Sequence, residues 1–198
     1  MIQLLIERLM GIAYPLQMPD ALIDRLNEIA ECRFFDPGDF ILRKGQVCSG
    51  AYFLAKGLAR SYYIRENKQI TSRLMEEGFI ITSWQSFYRQ QPSTEYIVTM
   101  EESATIFLNF RDIISLYEEY PVFNIIGRKQ VEYSFYEAEA RTQMLRGLSA
   151  VERYKFFCEN YNSLLQRVPL KYIASYLGMS DETLSRIRAK YKPVQNIS

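Results

Sequence analysis

Apolar residues change their spacing along the chain, and the changes divide it into three zones. The first, to about residue 20, is short and apolar. Asp20 then precedes a pattern that places Leu22, Ile23, Leu26, Ile29 and Ala30 on one face of a helix. The second zone runs from about Phe34 to Phe110. It alternates short β-rich runs with turn residues and holds Gly38, Gly45, Gly50, Gly57 and Gly78, five of the nine glycines. The spacing predicts strands over 40–42, 51–54, 61–64, 96–99 and 105–108, with turns at 37–39 and 65–68. Short strands at regular intervals predict a sandwich or barrel.

The third zone is helical. Pro121 is suited to the first position of a helix. From Val122 to about Gly147 two apolar stripes run along it. One is Phe123, Ile126, Tyr133, Ala140 and Met144; the other is Val131, Phe135, Ala138 and Leu145. A surface helix has one apolar stripe. Two stripes fit a helix packed between its own domain and a second copy of the chain, or one buried on two sides of a monomer. Ser149 with Glu152 three residues on is a capping box. The helix it opens is expected to run to about Leu165 and stop before Pro169.

The most informative segment is Leu170–Lys190. Ile173 and Leu177 form the inner face of one short helix, and the small Ala174 lets a second helix approach. Gly178 permits a tight turn. Ser180 caps the second helix, with Asp181 and Glu182 at its positive end. Leu184 and Ile187 point inward. Asp181, Glu182, Ser185, Arg186 and Ala189 are left outward on one face. That is the pattern of a helix-turn-helix, whose second helix enters the major groove. Arg186 suits a guanine edge, Glu182 a cytosine N4, and Ser185 either donors or acceptors. Thr183, Arg188, Lys171 and Lys190 suit phosphates. The competing reading is an ordinary helical hairpin with a Glu182–Arg186 surface pair.

Charge favours the first reading. The net charge of +1 is unevenly spread. Residues 1–140 hold 14 Lys/Arg and 19 Asp/Glu, whereas residues 141–198 hold 10 Lys/Arg and 4 Asp/Glu. A basic C-terminal zone fits a polyanion partner. Composition removes other classes. There is no histidine, so no His-based general base, His-ligated metal or haem, or His/Asp triad is available. Cys32, Cys48 and Cys158 form neither a disulfide framework nor a C-x-x-C motif, and they are too few for a four-Cys cluster. They fit a reducing cytoplasm. No run approaches the roughly 20 apolar residues of a membrane span, and Met1–Leu16 lacks the basic region of a signal peptide. Glu76-Glu77 and Glu101-Glu102 read as turn or surface residues, not as paired catalytic acids. The chain is not expected to be an enzyme, and no metal or cofactor is expected.

The order of β-roll, long helix and helix-turn-helix resembles the Crp/Fnr superfamily of bacterial transcription regulators, over nearly the whole chain. The β part looks like a cyclic-nucleotide-binding domain in its run Pro37-Gly38-Asp39-Phe40-Ile41, then Gly45, Tyr52-Phe53-Leu54 and Gly57-Leu58-Ala59-Arg60. The segment Gly178–Ile187 carries the resemblance most strongly. It implies an α+β chain: an antiparallel β-roll or jelly roll with flanking helices over residues 1–120, a dimerisation helix over 121–148, and a helix-turn-helix domain, a truncated winged helix, over 149–198. It implies that Glu182 and Arg186 read bases and that Thr183 touches phosphate. Glu182, Ser185 and Arg186 follow the Fnr branch more closely than the cyclic-AMP branch, where a basic residue stands at the place of Asp181. The implied partners are double-stranded DNA with a pseudo-palindromic operator, a second copy of the chain, RNA polymerase and a small-molecule effector. Membranes are not among them.

The chain departs from the superfamily at the nucleotide site, which needs a Glu on the ribose and an Arg-Ser pair on the phosphate. A buried phosphodiester anion requires a cationic partner with several donors. No Glu stands near Thr82, no Arg near Ser93, and Glu95 repels a phosphate. Cyclic AMP is therefore not the expected effector. The remaining pocket material is Thr82, Ser83, Trp84, Ser86, Thr94, Tyr96, Tyr133 and Tyr136. These residues either line a cavity for an uncharged or hydrophobic effector or fill the former pocket so that nothing binds. Cys32 and Cys48 are read as small buried apolar residues, with redox sensing by one cysteine as the alternative. Only Tyr191–Ser198 follow the second helix, too few for a full wing. The competing function is a ligand-binding or protein-interaction β-roll with a vestigial helix-turn-helix.

Overall fold

The computed structural model describes residues 1–190. The expectation of a shortened wing rests on residues 191–198 and lies outside the described residues. Two helices come first, α1 (Ile2–Ala13) and α2 (Asp20–Ile29). In the sequence α1 shows only as an apolar stretch. It is an amphipathic helix that buries Leu5, Ile6, Leu9 and Ala13. In α2, Leu22 and Leu26 are buried, while Ile23 and Ile29 lie at the margin of the core.

The β zone contains β1 (Glu31–Phe35), β2 (Phe40–Leu42), β3 (Gly50–Lys56), β4 (Ala59–Arg65), β5 (Lys68–Met75), β6 (Ile80–Ile81), α3 (Trp84–Arg89), β7 (Tyr96–Thr99) and β8 (Ser103–Asn109). The strands form two antiparallel four-stranded sheets, in the orders β1-β8-β3-β6 and β2-β7-β4-β5. The five expected strands are present. The spacing missed β1, β5 and the short β6. In β5 the apolar signal is diluted by Lys68, Gln69, Thr71, Ser72 and Arg73. The zone closes with α4 (Phe110–Glu119), whose first turn is capped by Asn109 Oδ1, accepting from Arg111 N at 2.9 Å. Glu66 and Asn67 both take positive φ and turn β4 into β5, as the 65–68 turn requires. Gly50 sits where any Cβ would meet the Leu108 carbonyl and the Phe107 ring, so β3 and β8 approach closely there.

The β-roll core runs from α1 and α2 through both sheets to the start of α5 (Pro121–Gly147), where Phe123 and Ile126 are buried. A second core joins the end of α5, at Met144, to α6 (Ala150–Asn160), α7 (Leu164–Arg167), α8 (Leu170–Tyr176) and α9 (Asp181–Lys190). Leu58 and Leu74 of the β-roll belong to this second core. The capping box at Ser149 forms in both directions. Helix α6 ends at Asn160, five residues before the expected end at Leu165. Tyr161 leaves helical geometry at φ −133°. Its ring packs 5.4 Å from that of Phe157 and 6.1 Å from that of Tyr176. Its hydroxyl donates to Glu137 Oε2 at 3.2 Å, so tertiary packing overrides the local helical pattern.

The expected stripes of α5 are buried only at its ends. Phe123, Ile126 and Met144 are buried. Tyr133 and Ala140 of the same stripe are exposed, as are Val131, Phe135 and Ala138 of the other. The middle of α5 thus carries uncovered apolar surface, with Phe135 62% and Tyr136 68% exposed. Cys32 is exposed, correcting the expectation that it is buried. Cys48 is buried, with its thiol 3.2 Å from the Gly50 carbonyl. Among the described residues no helix is long and apolar enough to cross a membrane.

Candidate nucleic-acid interface and cavity

The two helices of the C-terminal motif fold as their small and apolar residues dictate. Ile173, Ala174, Leu177 and Leu184 are fully buried between them, and Ile187 is nearly so. Gly178 takes φ +63°, and Met179 N donates to Ala174 O at 3.0 Å to close the turn. From α6, Arg153 Nη1 donates to Leu177 O at 2.6 Å and to Gly178 O at 3.2 Å. This clamp was not foreseen, because nothing in the local pattern ties Arg153 to a turn 25 residues away.

Ser180 Oγ accepts from Thr183 N at 3.2 Å and caps α9 as expected. Asp181, Glu182, Ser185, Arg186, Arg188, Ala189 and Lys190 are exposed, as is Lys171 on α8. Thr183 is half-buried. No Glu182–Arg186 ion pair is present among the described residues; Arg186 instead reaches back, Nε to Glu182 O at 3.4 Å and Nη2 to Thr183 Oγ1 at 3.5 Å. The Glu182 carboxyl is held below its ordinary range, first by the Ser180 hydroxyl, with Arg186 and Lys68 contributing attraction. Lys68 lies at the β4–β5 turn, so this turn sits near the start of α9.

The C-terminal helices are docked on the β-roll. β5 is the edge strand of its sheet. Ser175 of α8 covers that edge, accepting from Thr71 N at 2.9 Å and donating to Gln69 O at 3.1 Å. Arg141 of α5 donates to both Thr71 O and Tyr176 O at 3.0 Å. Arg60 of β4, 3% exposed, lies 3.7 Å over the Tyr172 ring of α8. Burial lowers the pKa of its guanidinium. Arg167 holds Glu77 through two bonds of 2.9 Å, Glu101 through bonds of 3.1 and 2.7 Å, and Gly57 O at 3.1 Å. The Arg167 bonds pull the Glu77 carboxyl down to about 2. The acids at 76–77 and 101–102 do occupy turns, as their spacing suggests, but Glu77 and Glu101 also anchor α7 to the β-roll.

Between the β-roll, α5 and the C-terminal helices lies a cavity of about 340 Å³. Its wall includes Arg73, Phe79, Trp84 and Glu95 from the β-roll, Tyr133, Glu137 and Arg141 from α5, and Phe157, Tyr161 and Tyr176 from the C-terminal helices. The Arg73 guanidinium pairs with Glu95 at 3.3 Å and donates to Thr82 O at 2.8 Å and Ser61 Oγ at 3.1 Å.

Residues 32–120 match the cyclic nucleotide-binding domain family. Solved structures repeat the architecture. FixK2 from Bradyrhizobium japonicum superposes with a TM-score of 0.70 at 15% identity, over 82% of this chain and 84% of that one. The cyclic-di-GMP-responsive global regulator CLP from Xanthomonas campestris gives 0.69 at 13%, over 87% and 91%. A structure from Eubacterium rectale described as a Crp/Fnr-family transcriptional regulator gives 0.72 at 14%, over 90% and 86%. The fold is that of the Crp/Fnr regulators. No curated protein matches the sequence.

Within this Crp/Fnr fold, the eight residues read as effector-pocket material do not converge. Trp84 and Tyr133 line the cavity. Thr82, Ser83 and Ser86 are buried and spend their hydroxyls internally, Thr82 on Gly50 O at 3.2 Å, Ser83 with Ser93 at 3.3 Å, and Ser86 on Gln91 O at 2.5 Å. Tyr96 stacks on Tyr62 at 4.9 Å, Thr94 is exposed, and Tyr136 faces outward from α5. Of the cavity's charged residues, Arg73, Glu137 and Arg141 carry no local sequence signal, because they lie far apart in the chain and meet only through the docked helices.

Proposed function

We propose that the chain is a dimeric, sequence-specific DNA-binding transcription regulator and not an enzyme. The observation that carries this reading is the solvent-facing row of Glu182, Ser185 and Arg186 on α9, set over buried Leu184 and Ile187. A helix that presents polar side chains with the right donors and acceptors from a rigid two-helix support is suited to base edges in the major groove. In this reading Arg186 bonds guanine, Glu182 accepts from cytosine N4, and Ser185 completes the row. Lys171, Thr183, Arg188 and Lys190 hold phosphates, with Ser180 and Asp181 at the groove entry. The uncovered middle of α5 is the dimer seam, and it spaces two α9 helices by about 34 Å, one turn of B-DNA. RNA polymerase and a small-molecule effector complete the set of partners, in a reducing cytoplasm.

Cyclic AMP is not that effector. Of the two cations at the cavity, Arg73 is neutralised by Glu95 and Arg141 is bonded to two backbone carbonyls, and the hydroxyls of the neighbouring segment are bonded to protein. Calorimetry with millimolar cyclic AMP or cyclic GMP is expected to give no saturable heat. Selection from a random duplex library at one fixed salt concentration tests the regulator reading. Enrichment of a pseudo-palindrome supports it. Recovery of unenriched sequence, with the protein verified as folded, turns it toward a ligand- or protein-binding module.

A further inference from the structure

The cavity between the three parts of the molecule has a composition that selects a ligand. Six aromatic rings face it, from Phe79, Trp84, Tyr133, Phe157, Tyr161 and Tyr176. Two cations and two anions lie in its wall, and each already has a protein partner. Arg73 pairs with Glu95, Glu137 accepts from Tyr161, and Arg141 is bonded to two backbone carbonyls. An anionic ligand would meet Glu95 and Glu137, and a cationic one would meet Arg73 and Arg141. The hydroxyls of Ser134 and Thr142 donate to Gln130 O and Ala138 O within α5, at 3.0 and 2.9 Å. What they offer the cavity is lone pairs, which suit a donor on the ligand, while Arg141 Nε is buried without a partner among the described residues and leaves the wall one unspent donor. A volume of about 340 Å³ is at the small end of the range for organic ligands.

We propose that this cavity binds an uncharged aromatic molecule of two or three rings carrying an N–H or O–H donor. Because β5–β6, α5 and α6–α8 each supply wall, the ligand bridges the β-roll and the C-terminal helices and holds them in the docked arrangement. The consequence for DNA rests on the regulator reading; the binding itself does not. A ligand that contacts both bodies shifts the equilibrium between docked and released states by its difference in affinity for the two.

Trp84 is the only tryptophan in the chain and lines the cavity, so its emission reports occupancy directly. The probe is N-phenyl-1-naphthylamine, uncharged, aromatic and carrying one N–H. Titration is expected to quench Trp84 and sensitise the probe in a saturable curve, at one probe per chain. The sulfonated, anionic relative of the probe is expected to bind at least tenfold more weakly. Ser134→Leu fills the cavity from α5 and is expected to weaken the probe at least tenfold, with circular dichroism and melting temperature unchanged. Arg167→Ala releases the C-terminal wall from outside the cavity and is expected to weaken it as well. Non-saturable partitioning, equal binding of the sulfonate, or unchanged affinity in a folded cavity-filling variant overturns the proposal. A chain that selects no DNA but binds the probe in this pattern refutes the regulator reading and leaves the cavity assignment standing.

Discussion

At the scale of single residues, the C-terminal motif depends on a few positions with no substitute. Gly178 holds φ +63°, a conformation that costs an L-residue roughly 1 kcal/mol or more. A Cβ there would also stand 3.1 Å from both Arg153 Nη1 and Leu145 Cδ2. Gly178→Ala is expected to lower stability by about 1–2 kcal/mol, read as a fall in the urea midpoint with unchanged slope. Leu184 is fully buried, and Leu184→Ala is expected to cost about 2–5 kcal/mol through the cavity it leaves. Arg186 behaves differently. It is exposed and makes only long contacts within α9, so Arg186→Ala should leave the melting temperature unchanged. If it reads a guanine, the loss appears only in binding to the selected duplex, by about 1–3 kcal/mol. Wild-type affinity in this variant removes Arg186 from the base-reading set.

At the scale of elements, the docking of α8 on the β5 edge and the Arg167 cluster set the placement of the C-terminal helices. The cluster gives the docking a pH signature. Glu77 titrates near 2, below its ordinary 4.5, because it accepts bonds from Arg167. A depressed carboxylate stabilises the folded arrangement above about pH 4.5, and that contribution is lost as pH falls toward 2. Between these values the urea midpoint of wild type should fall more steeply than that of Glu77→Gln. Equal slopes would show that ionisation of Glu77 contributes nothing to stability. The sequence showed why each helix of the motif forms, since Ser149 with Glu152 and Ser180 before Asp181 are local signals. It did not show the docking. Arg167 meets Glu77, Ser175 meets Thr71 and Gln69, and Arg60 meets Tyr172, each far away in the chain, and no period or cap encodes such pairs. The early end of α6 has the same cause, for Tyr161 is drawn out of the helix by Tyr176 and Glu137.

At the scale of the whole molecule, the order of the parts was legible because each has its own period: alternating short strands, a long 3.6-residue repeat, then a compact helical pair. The β strands with dense apolar runs were readable, whereas β5, which sets Lys68, Gln69, Thr71, Ser72 and Arg73 among its apolar residues, was not. The outward polar row of α9 was also legible, since a single helix carries it. The cavity was legible only in Trp84 and Tyr133, because three separate parts of the fold build its wall. The exposed apolar middle of α5 belongs to this scale too. Phe135→Glu with Tyr136→Glu is expected to convert a sedimenting dimer into a folded monomer, and a monomeric wild type at micromolar concentration would contradict the dimer reading.

In the proposed function α9 reads DNA through its outward row. Its most direct test is selection from a random duplex library at one salt concentration, with wild type and Arg186→Ala in parallel. One pseudo-palindrome is expected for both proteins, with a single position in each half-site losing its preference in the variant. Identical site preferences, or none in either folded protein, would contradict it.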